Sequence, residues 1–387
     1  MNTPQSAECA ELLERVGALA PVVSEYRAAL ERERRLPQPV FDAIADAGLL
    51  RLWLPKTFGG PELSALDFML VVEAAAALEG SVGWLVGNGG GMSRTAGYVA
   101  AEVAAAWFTD PRAFIVAATG AVGDAVPVPG GFRISGRWPF GSGIHHATIA
   151  MGLCRIADGR PADAAHDVIA CHVAAADAEI IDNWHVSGLR GTGSCDFVIR
   201  DVFVPSAHCY SFPETIPTQR GPVYRLPAIS VFGWTVSVVP LGIARGALDS
   251  FAALAARKGR SGSQLCLRDQ EVVQSEFGRL DTRHAAARAL LRAAMTELSG
   301  SLDEGGARLL HARAAFRMAC AHAAETANGI VEKLAALAGT AALLETGTLE
   351  RRLRDVHAAS RHIAMAPHSY ITGGRIALGL EPGPGRL

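Results

Sequence analysis

The chain has 387 residues, of which 50% are hydrophobic and 19% are charged. Its 36 Lys and Arg residues nearly balance its 38 Asp and Glu residues, and the formal net charge is −2. This composition excludes a disordered chain, which needs low hydrophobicity and high net charge. The lack of surplus cations also argues against a nucleic-acid-binding protein. A chain of this length predicts two or three sub-domains that share interfaces.

Residues 1–111 are predicted to form a helical domain. In the first segment, AECAELLERVGALAPVVSEYRAALERERRLP, apolar residues recur at helical spacing between charged residues. Ser64 precedes the apolar run from Ala65 to Ala77, and serine is a favoured residue at a helix N-cap. The N-terminus shows no basic segment followed by an apolar run, so no signal peptide is expected.

Residues 112–225 are predicted to form a β domain. Their apolar segments are short, rich in β-branched residues and bounded by Gly, Pro, Asp or Asn. They are IVAATGAV, FRISGRWPFGSG, TIAMGLCRI, HDVIACHV and DFVIRDVFVP. Pro129, Gly130 and Gly131 separate the first two segments and predict a hairpin turn.

Residues 226–387 are predicted to form a four-helix bundle, because four amphipathic segments follow one another with Gly-rich breaks. The stretch from Leu226 to Ala244 carries no charge and is long enough to span a bilayer. Pro227 and Pro240 interrupt it and Gly233 lies inside it, so we expect a buried helix of a soluble core instead.

The cysteines predict a reducing compartment. Their number is odd, their spacing is scattered and no C-x-x-C pair occurs, so we expect reduced thiols in a cytoplasmic protein. They are Cys9, Cys154, Cys171, Cys195, Cys209, Cys266 and Cys320. No metal site is expected, since His145 and His146 lack a third ligand at zinc-like spacing.

Four strings, in this order along the chain, resemble the acyl-CoA dehydrogenase superfamily. They are RISGRWPFGSGIHHA, NWHVSGLRGTGSCDFVIRDVFVP, PLGIARGALDSF and ERRLRDVHAASRHI. The resemblance implies an α+β fold, with an N-terminal helical domain, a middle β-barrel or sandwich domain and a C-terminal four-helix bundle. It also implies a homotetramer with the bundles at its centre.

Within this superfamily the chain resembles the group D branch of two-component flavin-dependent monooxygenases. At the two positions where the dehydrogenases carry their catalytic glutamate, counted from Arg354 and from Gly242, this chain has Ile363 and Phe232. Neither can take up a proton. His362 stands eight residues after Arg354, which is the spacing at which the monooxygenase branch carries a catalytic histidine.

His362 is therefore a candidate catalytic residue. Asp355 and His362 are seven residues apart and would share one face of a helix. A carboxylate there would raise the histidine pKa or orient the ring. An imidazole that titrates near neutrality can move the proton of a phenol or an indole N–H. The alternative is a surface or packing histidine.

Ser142 is the second candidate catalytic residue. The resemblance implies that its hydroxyl faces N5 of the flavin and stabilises a C4a-hydroperoxide, while Gly141 and Gly143 allow the backbone to approach the ring. Trp138 is expected to cover one face of the ring. The alternatives are a turn serine and a core tryptophan.

The resemblance also implies the remaining site residues. Arg260 would reach the flavin pyrophosphate of a neighbouring subunit. The Gly-rich loop from Ser187 to Ser194 is not a Rossmann loop, because a strand-like segment follows it. The cofactor contacts are expected from Trp138, Ser142, Gly143, Arg190, Arg260, Gln274 and Gly339, and the substrate pocket from Trp84, Asn88, His146, Phe232 and Trp234.

These features together predict the oxygenase component of a two-component flavin-dependent monooxygenase. It would use reduced flavin (FMNH2 or FADH2, a choice that stays open) from a separate NAD(P)H-dependent reductase, with O2 as co-substrate, to hydroxylate a small aromatic or heteroaromatic compound. One alternative is an acyl-CoA dehydrogenase whose base is displaced, with Glu345 or Asp249 as the carboxylate. A flavin-free helical scaffold is the other.

Overall fold

The computed structural model of this chain describes residues 6–157, 168–212, 216–227, 233, 235–259 and 265–383. The chain runs from helices through a β-sheet to a second set of helices, and this predicted order is confirmed. The division at residues 111 and 225 stays a prediction.

The N-terminal part consists of short helices. They are α1 (Ala7–Ala18), α2 (Ala20–Glu25), α3 (Arg27–Glu33), α4 (Gln38–Asp46), α5 (Ala65–Leu78), α6 (Gly80–Met92) and α7 (Ala101–Trp107). The predicted cap at the start of α5 is confirmed, because the Ser64 side chain accepts a hydrogen bond of 3.1 Å from the Asp67 N–H. Such a cap satisfies one of the free N–H groups at a helix start.

Helix α6 is unusually rich in glycine and packs closely on its neighbours. A Cβ atom at Gly87 would lie 2.0 Å from the Thr235 carbonyl oxygen, and one at Gly83 would lie 2.4 Å from the Ala76 Cβ. Within this helix only Trp84 and Asn88 are half-buried, while the other residues are buried. The two stand one turn apart and therefore share a face. This face is the partly exposed face of α6.

The middle part is one mixed sheet. Its strands are β1 (Ile115–Val128), β2 (Gly131–Gly141), β3 (Ile149–Ile156), β4 (Val168–Ala174), β5 (Glu179–Ile181), β6 (Cys195–Pro205) and β7 (Cys209–Ser211), in the order β5-β6-β2-β1-β3-β4-β7. The predicted hairpin is confirmed, since Val128 pairs with Gly131 and Gly130 has a φ of +82°. The β2–β6 register shifts between Trp138 and Gly141, just before the strand ends.

The C-terminal part is helical. Its helices are α8 (Val239–Ala255), α9 (Glu271–Gly300), α10 (Gly306–Ala338), α11 (Thr348–Ala359) and α12 (His368–Ala377). Pro240 lies in the first turn of α8, where its missing N–H costs no hydrogen bond. No helix in the described part of the chain has the length and apolar composition needed to cross a membrane.

The last predicted helical segment is not one continuous helix. Helix α11 ends at Ala359, a short 3-10 turn follows at Ile363–Met365, and α12 begins at His368. His362 has φ −65° and ψ 139°, so the chain has left the helix before the turn begins. Pro367 disfavours helical backbone at the preceding residue and separates the turn from α12. Ala366 accordingly has φ −67° and ψ 142°. His362 therefore lies beyond the end of α11, and the prediction that it shares a helix face with Asp355 is wrong.

Candidate active site

Ser142 lies at the end of β2, where a tight turn redirects the chain. Phe140 has a φ of +63°, and its carbonyl oxygen accepts a hydrogen bond of 2.9 Å from the Ser142 N–H. Gly143 has a φ of +80°, and a Cβ atom there would lie 2.6 Å from the ring of Phe114. Glycine is thus required at 143 by both conformation and space. The turn leaves Ser142 half-buried.

Side-chain hydrogen bonds connect Ser142 to helix α6 and to the Gly-rich loop from Ser187 to Ser194. Trp84 Nε1 donates to Ser142 Oγ at 3.1 Å. Ser142 Oγ lies 2.8 Å from Ser194 Oγ, which lies 2.7 Å from Thr192 Oγ1. Thr192 Oγ1 donates to the Leu189 carbonyl oxygen at 2.8 Å. Ser194 and Thr192 are 4% and 1% exposed, so this hydroxyl chain runs from the half-buried Ser142 into the core.

The Gly-rich loop that carries Ser194 is held by the Arg-Asp pair of α11. Asp355 Oδ1 accepts a hydrogen bond of 2.6 Å from the Leu189 N–H, and Arg354 Nη1 donates to the Ser187 carbonyl oxygen at 2.5 Å. A Cβ atom at Gly188 would lie 2.2 Å from the Arg354 carbonyl oxygen. Burial and the nearby Glu79 carboxylate raise the pKa of Asp355 well above its usual range.

His362 contacts Trp84, so the structure brings three predicted site residues together. The two ring centroids are 5.7 Å apart and the ring planes meet at 74°. Burial, followed by the charge of Arg317, lowers the pKa of His362 to about 4. The prediction of a histidine that titrates near neutrality with support from Asp355 is therefore wrong.

The proton of the neutral His362 ring can be placed from its hydrogen bond. Nδ1 accepts from the Ala364 N–H at 3.2 Å, so the neutral ring carries its proton on Nε2. Asn88 Nδ2 donates to the Trp84 carbonyl oxygen at 2.9 Å. Both Trp84 and Asn88 are half-buried and can contact a small molecule beside Ser142 and His362.

Trp138 belongs to the core. It is 0% exposed, its Nε1 donates to the Leu153 carbonyl oxygen at 3.0 Å, and its ring stacks on Phe197 with centroids 5.5 Å apart. A ring without exposed surface cannot cover a flavin. The structure thus gives Trp138 the core position that the alternative interpretation predicted.

Two further predicted residues face the N-terminal helices. His146 stacks on Phe41 with centroids 4.3 Å apart, and its Nε2 lies 2.9 Å from the Leu36 carbonyl oxygen. Burial lowers the pKa of His146. Arg190 Nε donates to the Glu31 carbonyl oxygen at 3.0 Å. The contacts of both side chains tie the sheet domain to the helices, and neither side chain contacts Ser142.

The remaining predicted cofactor residues lie elsewhere. Gln274 is exposed on α9 and donates to the Arg268 carbonyl oxygen at 2.9 Å, and Gly339 is exposed at the end of α10 with a φ of +58°. Their contacts with a flavin stay predictions. Arg260, Phe232 and Trp234 lie outside the described residues.

The carboxylates of the alternative dehydrogenase hypothesis are on the surface. Asp249 is exposed and pairs with Arg245 at 2.7 Å, and Glu345 is exposed. Ile363 is 75% exposed and offers no acid or base.

Comparisons with known proteins place this geometry in a family. The model of the acyl-CoA dehydrogenase N-terminal domain matches residues 7–119, and that of the acyl-CoA dehydrogenase C-terminal domain matches residues 234–367. The structure of XiaF from Streptomyces sp., in complex with FADH2 and glycerol, has 30% sequence identity and a TM-score of 0.88, with 98% of each chain covered.

Two curated relatives match over nearly the whole chain. The oxygenase subunit HsaA of a flavin-dependent monooxygenase from Mycobacterium tuberculosis is 28% identical, with 99% of each chain covered. The oxygenase component of an FADH2-dependent resorcinol hydroxylase from Rhizobium sp. is also 28% identical, with 98% of each chain covered.

The chain belongs to the acyl-CoA dehydrogenase superfamily, and the predicted fold class is confirmed. Within the superfamily it belongs to the branch of two-component flavin-dependent monooxygenases, in which it is an oxygenase component. It is therefore an oxidoreductase, as predicted from the sequence. The names oxygenase subunit and oxygenase component imply a separate reductase in such systems.

The residues around Ser142 fit an isoalloxazine ring. Phe140 is 66% exposed beside the turn and meets the half-buried Trp184 edge to face, with centroids 6.3 Å apart. Such exposed aromatic surface suits a planar ring system. Ser142 adds a half-buried hydroxyl oxygen, which can form a hydrogen bond at the rim of this surface.

Proposed function

We propose that this oxygenase component hydroxylates a small aromatic or heteroaromatic compound with reduced flavin and O2. The observation that carries the proposal is the group formed by Trp84, Ser142 and His362. In this group an imidazole contacts the indole whose N–H is bonded to the Ser142 hydroxyl. When bound, the reduced flavin supplies two electrons, and O2 supplies the oxygen atom that is transferred.

Ser142 would hold the flavin at N5, and Phe140 would lie against the ring system. His362 is neutral at physiological pH, because its pKa is lowered to about 4. Its Nε2–H would donate to an oxygen or nitrogen of the substrate and hold the reacting carbon in place. Trp84 and Asn88 would contact the substrate. Two relatives, by their names, act on resorcinol and on indole-3-acetate, which are both electron-rich aromatic compounds.

The proposal includes the partners of the site. A separate NAD(P)H-dependent reductase would deliver FMNH2 or FADH2, and the chain would assemble as a homotetramer. The structure of a relative with FADH2 and the name of an FADH2-dependent relative support a reduced flavin as the ligand.

The test is the substitution His362→Ala in an assay coupled to a flavin reductase. We expect the rate of product formation to fall about a hundredfold or more, as for loss of a group that positions the substrate, while reduced flavin still binds. His357→Ala is the matched control, since His357 is a partly exposed residue of α11 that pairs with Glu332 at 3.2 Å. A His362→Ala variant that forms product at the control rate would contradict the proposed role.

A second assay separates the rival dehydrogenase activity. The purified chain is incubated with acyl-CoA compounds and an artificial electron acceptor, without reduced flavin. We expect no turnover, and turnover there would overturn the proposed monooxygenase reaction.

A further inference from the structure

The hydroxyl chain runs from Ser142 through Ser194 and Thr192 to the Leu189 carbonyl oxygen. Its hydrogen bonds have a single possible donor-to-acceptor direction. Trp84 Nε1–H can only donate, and the Leu189 carbonyl oxygen can only accept. Thr192 must therefore give its one hydroxyl proton to Leu189, because otherwise two lone pairs would face each other at 2.8 Å. Thr192 then accepts from Ser194, and Ser194 in turn accepts from Ser142.

This direction decides what Ser142 can still do. Its oxygen accepts from Trp84 at 3.1 Å, and its only proton goes to Ser194 at 2.8 Å. One lone pair remains. Ser194 and Thr192 are buried and Ser142 is half-buried, so the remaining lone pair is the part of the chain that a ligand can reach. Ser142 is thus an acceptor, not a donor, toward a ligand.

We propose that Ser194 is a positioning residue that makes the site select reduced over oxidised flavin. The inference rests on the proposed function, in which Ser142 meets N5 of the flavin. A reduced flavin carries a hydrogen on N5 and can donate it to the free lone pair of Ser142. An oxidised flavin has a lone pair on N5 and would face the lone pair of Ser142, which is unfavourable. Ser194 enforces this difference because it holds the Ser142 proton in the core.

The selection has a functional consequence. An oxygenase that receives its flavin by diffusion must take up the reduced form and let the oxidised form leave. A fixed acceptor at N5 favours both events without any movement of the protein.

The experiment compares two dissociation constants for each variant. Flavin fluorescence gives the Kd of oxidised FMN and FAD in air, and anaerobic titration gives the Kd of the reduced forms. In wild type we expect the reduced form to bind more tightly. Ser194→Ala frees the Ser142 proton, so that Ser142 can turn and donate to N5 of the oxidised form. The preference for reduced flavin should fall about fivefold or more, as for one neutral hydrogen bond.

Conservative variants separate positioning from folding. Ser194→Thr keeps the hydroxyl and should keep the wild-type preference. Thr192→Val removes the acceptor for Ser194 with little change in shape, and it should lower the preference as Ser194→Ala does. Ser206→Ala, which removes an exposed hydroxyl bonded to the Gly130 carbonyl oxygen at 3.3 Å, is the matched control and should change nothing.

The outcomes distinguish this inference from the proposed function. If Ser194→Ala is folded and binds flavin with the wild-type preference, the positioning role is wrong. If wild type binds neither form of FMN or FAD, the proposed function itself fails. If Ser194→Thr loses the preference together with Ser194→Ala, the hydroxyl group is not what matters and the inference also fails.

Discussion

Asp355 accepts a hydrogen bond of 2.6 Å from the backbone N–H of Leu189, a residue 166 positions earlier that has a φ of +52°. The carboxyl group is 1% exposed, so it gives this unusual loop conformation a fixed partner inside the protein. Since the Leu189 carbonyl oxygen is also where the hydroxyl chain ends, Asp355 sets the position of that end from the bundle side.

We therefore expect Asp355→Ala to loosen the Gly-rich loop. The buried Leu189 N–H would lose its partner, which costs about 1–3 kcal/mol in the free energy of unfolding. Asp355→Asn keeps an oxygen acceptor, and the raised pKa of Asp355 indicates that the site tolerates a neutral group. Thermal unfolding measures the loss of stability in each variant, and hydrogen exchange of peptides from the Gly-rich loop measures how far the loop has loosened. Equal loop protection in the alanine variant and wild type would contradict the assigned role.

Ser142→Ala should uncouple the reaction. The variant loses the acceptor proposed for N5 and the partner of Trp84 Nε1, while the fold is retained because Ser142 is only half-buried. We expect product per consumed NADH to fall severalfold, on the scale of one lost hydrogen bond, and H2O2 to rise by the matching amount. A peroxide assay beside product quantification measures the ratio, with Ser206→Ala as the control. A ratio of product to H2O2 equal to that of the control would contradict the proposed role of Ser142.

Acid should destabilise the protein mainly through the two histidines whose pKa is lowered most. Burial is the main cause that lowers the pKa of both His172 and His362 to about 4. In the unfolded chain a histidine has a pKa of about 6.5, so the unfolded state takes up protons first as the pH falls. The free energy of unfolding is thus highest above about pH 6.5 and is lost between there and about pH 4, by up to about 3 kcal/mol per histidine.

Urea unfolding across this pH range measures the loss. His172→Phe keeps an aromatic ring beside Trp107 and Tyr210, whose centroids lie 5.3 and 5.4 Å away, but cannot titrate. It also loses the hydrogen bond from Nδ1 to the His208 carbonyl oxygen, so it starts from lower stability. Its slope with pH should nevertheless be smaller than that of wild type, and an unchanged slope would show that His172 is not responsible.

Gly152→Ala should destabilise the sheet. A Cβ atom at Gly152 would lie 2.4 Å from Trp138, a ring with no exposed surface and thus no room to move. Overpacking of this kind costs about 1–3 kcal/mol in the free energy of unfolding. Gly120→Ala on β1 is the control, since nothing lies within 4 Å of its Cβ position. Chemical denaturation compares the two, and equal stability would contradict the close packing of Trp138.

The local patterns in the sequence predicted much of the fold. The cap at Ser64 and the hairpin around Gly130 depend on neighbouring residues, and both are confirmed. The break before His362 was missed, because the amphipathic pattern continues through it and Pro367 lies too far along the chain to mark it.

The candidate site was predictable only in part. Ser142 and His362 were identified by resemblance, and the structure brings them to the same tryptophan. Ser194 and Thr192 lay inside a string that was noted for its glycines, and nothing local indicated that their hydroxyls connect to Ser142. The contact between Asp355 and Leu189 joins residues that are 166 positions apart, so no spacing rule could predict it. The pKa of His362 depends on burial, which the sequence does not give.

Trp84 limits how the pocket can be remodelled. Its ring is a natural position to trim for a bulkier substrate, since it is half-buried and stands beside His362. Its indole N–H, however, is the donor that begins the hydroxyl chain at Ser142. Shortening this side chain for space would also remove the donor that occupies one lone pair of Ser142, so a gain in substrate scope would come with a less firmly oriented serine hydroxyl.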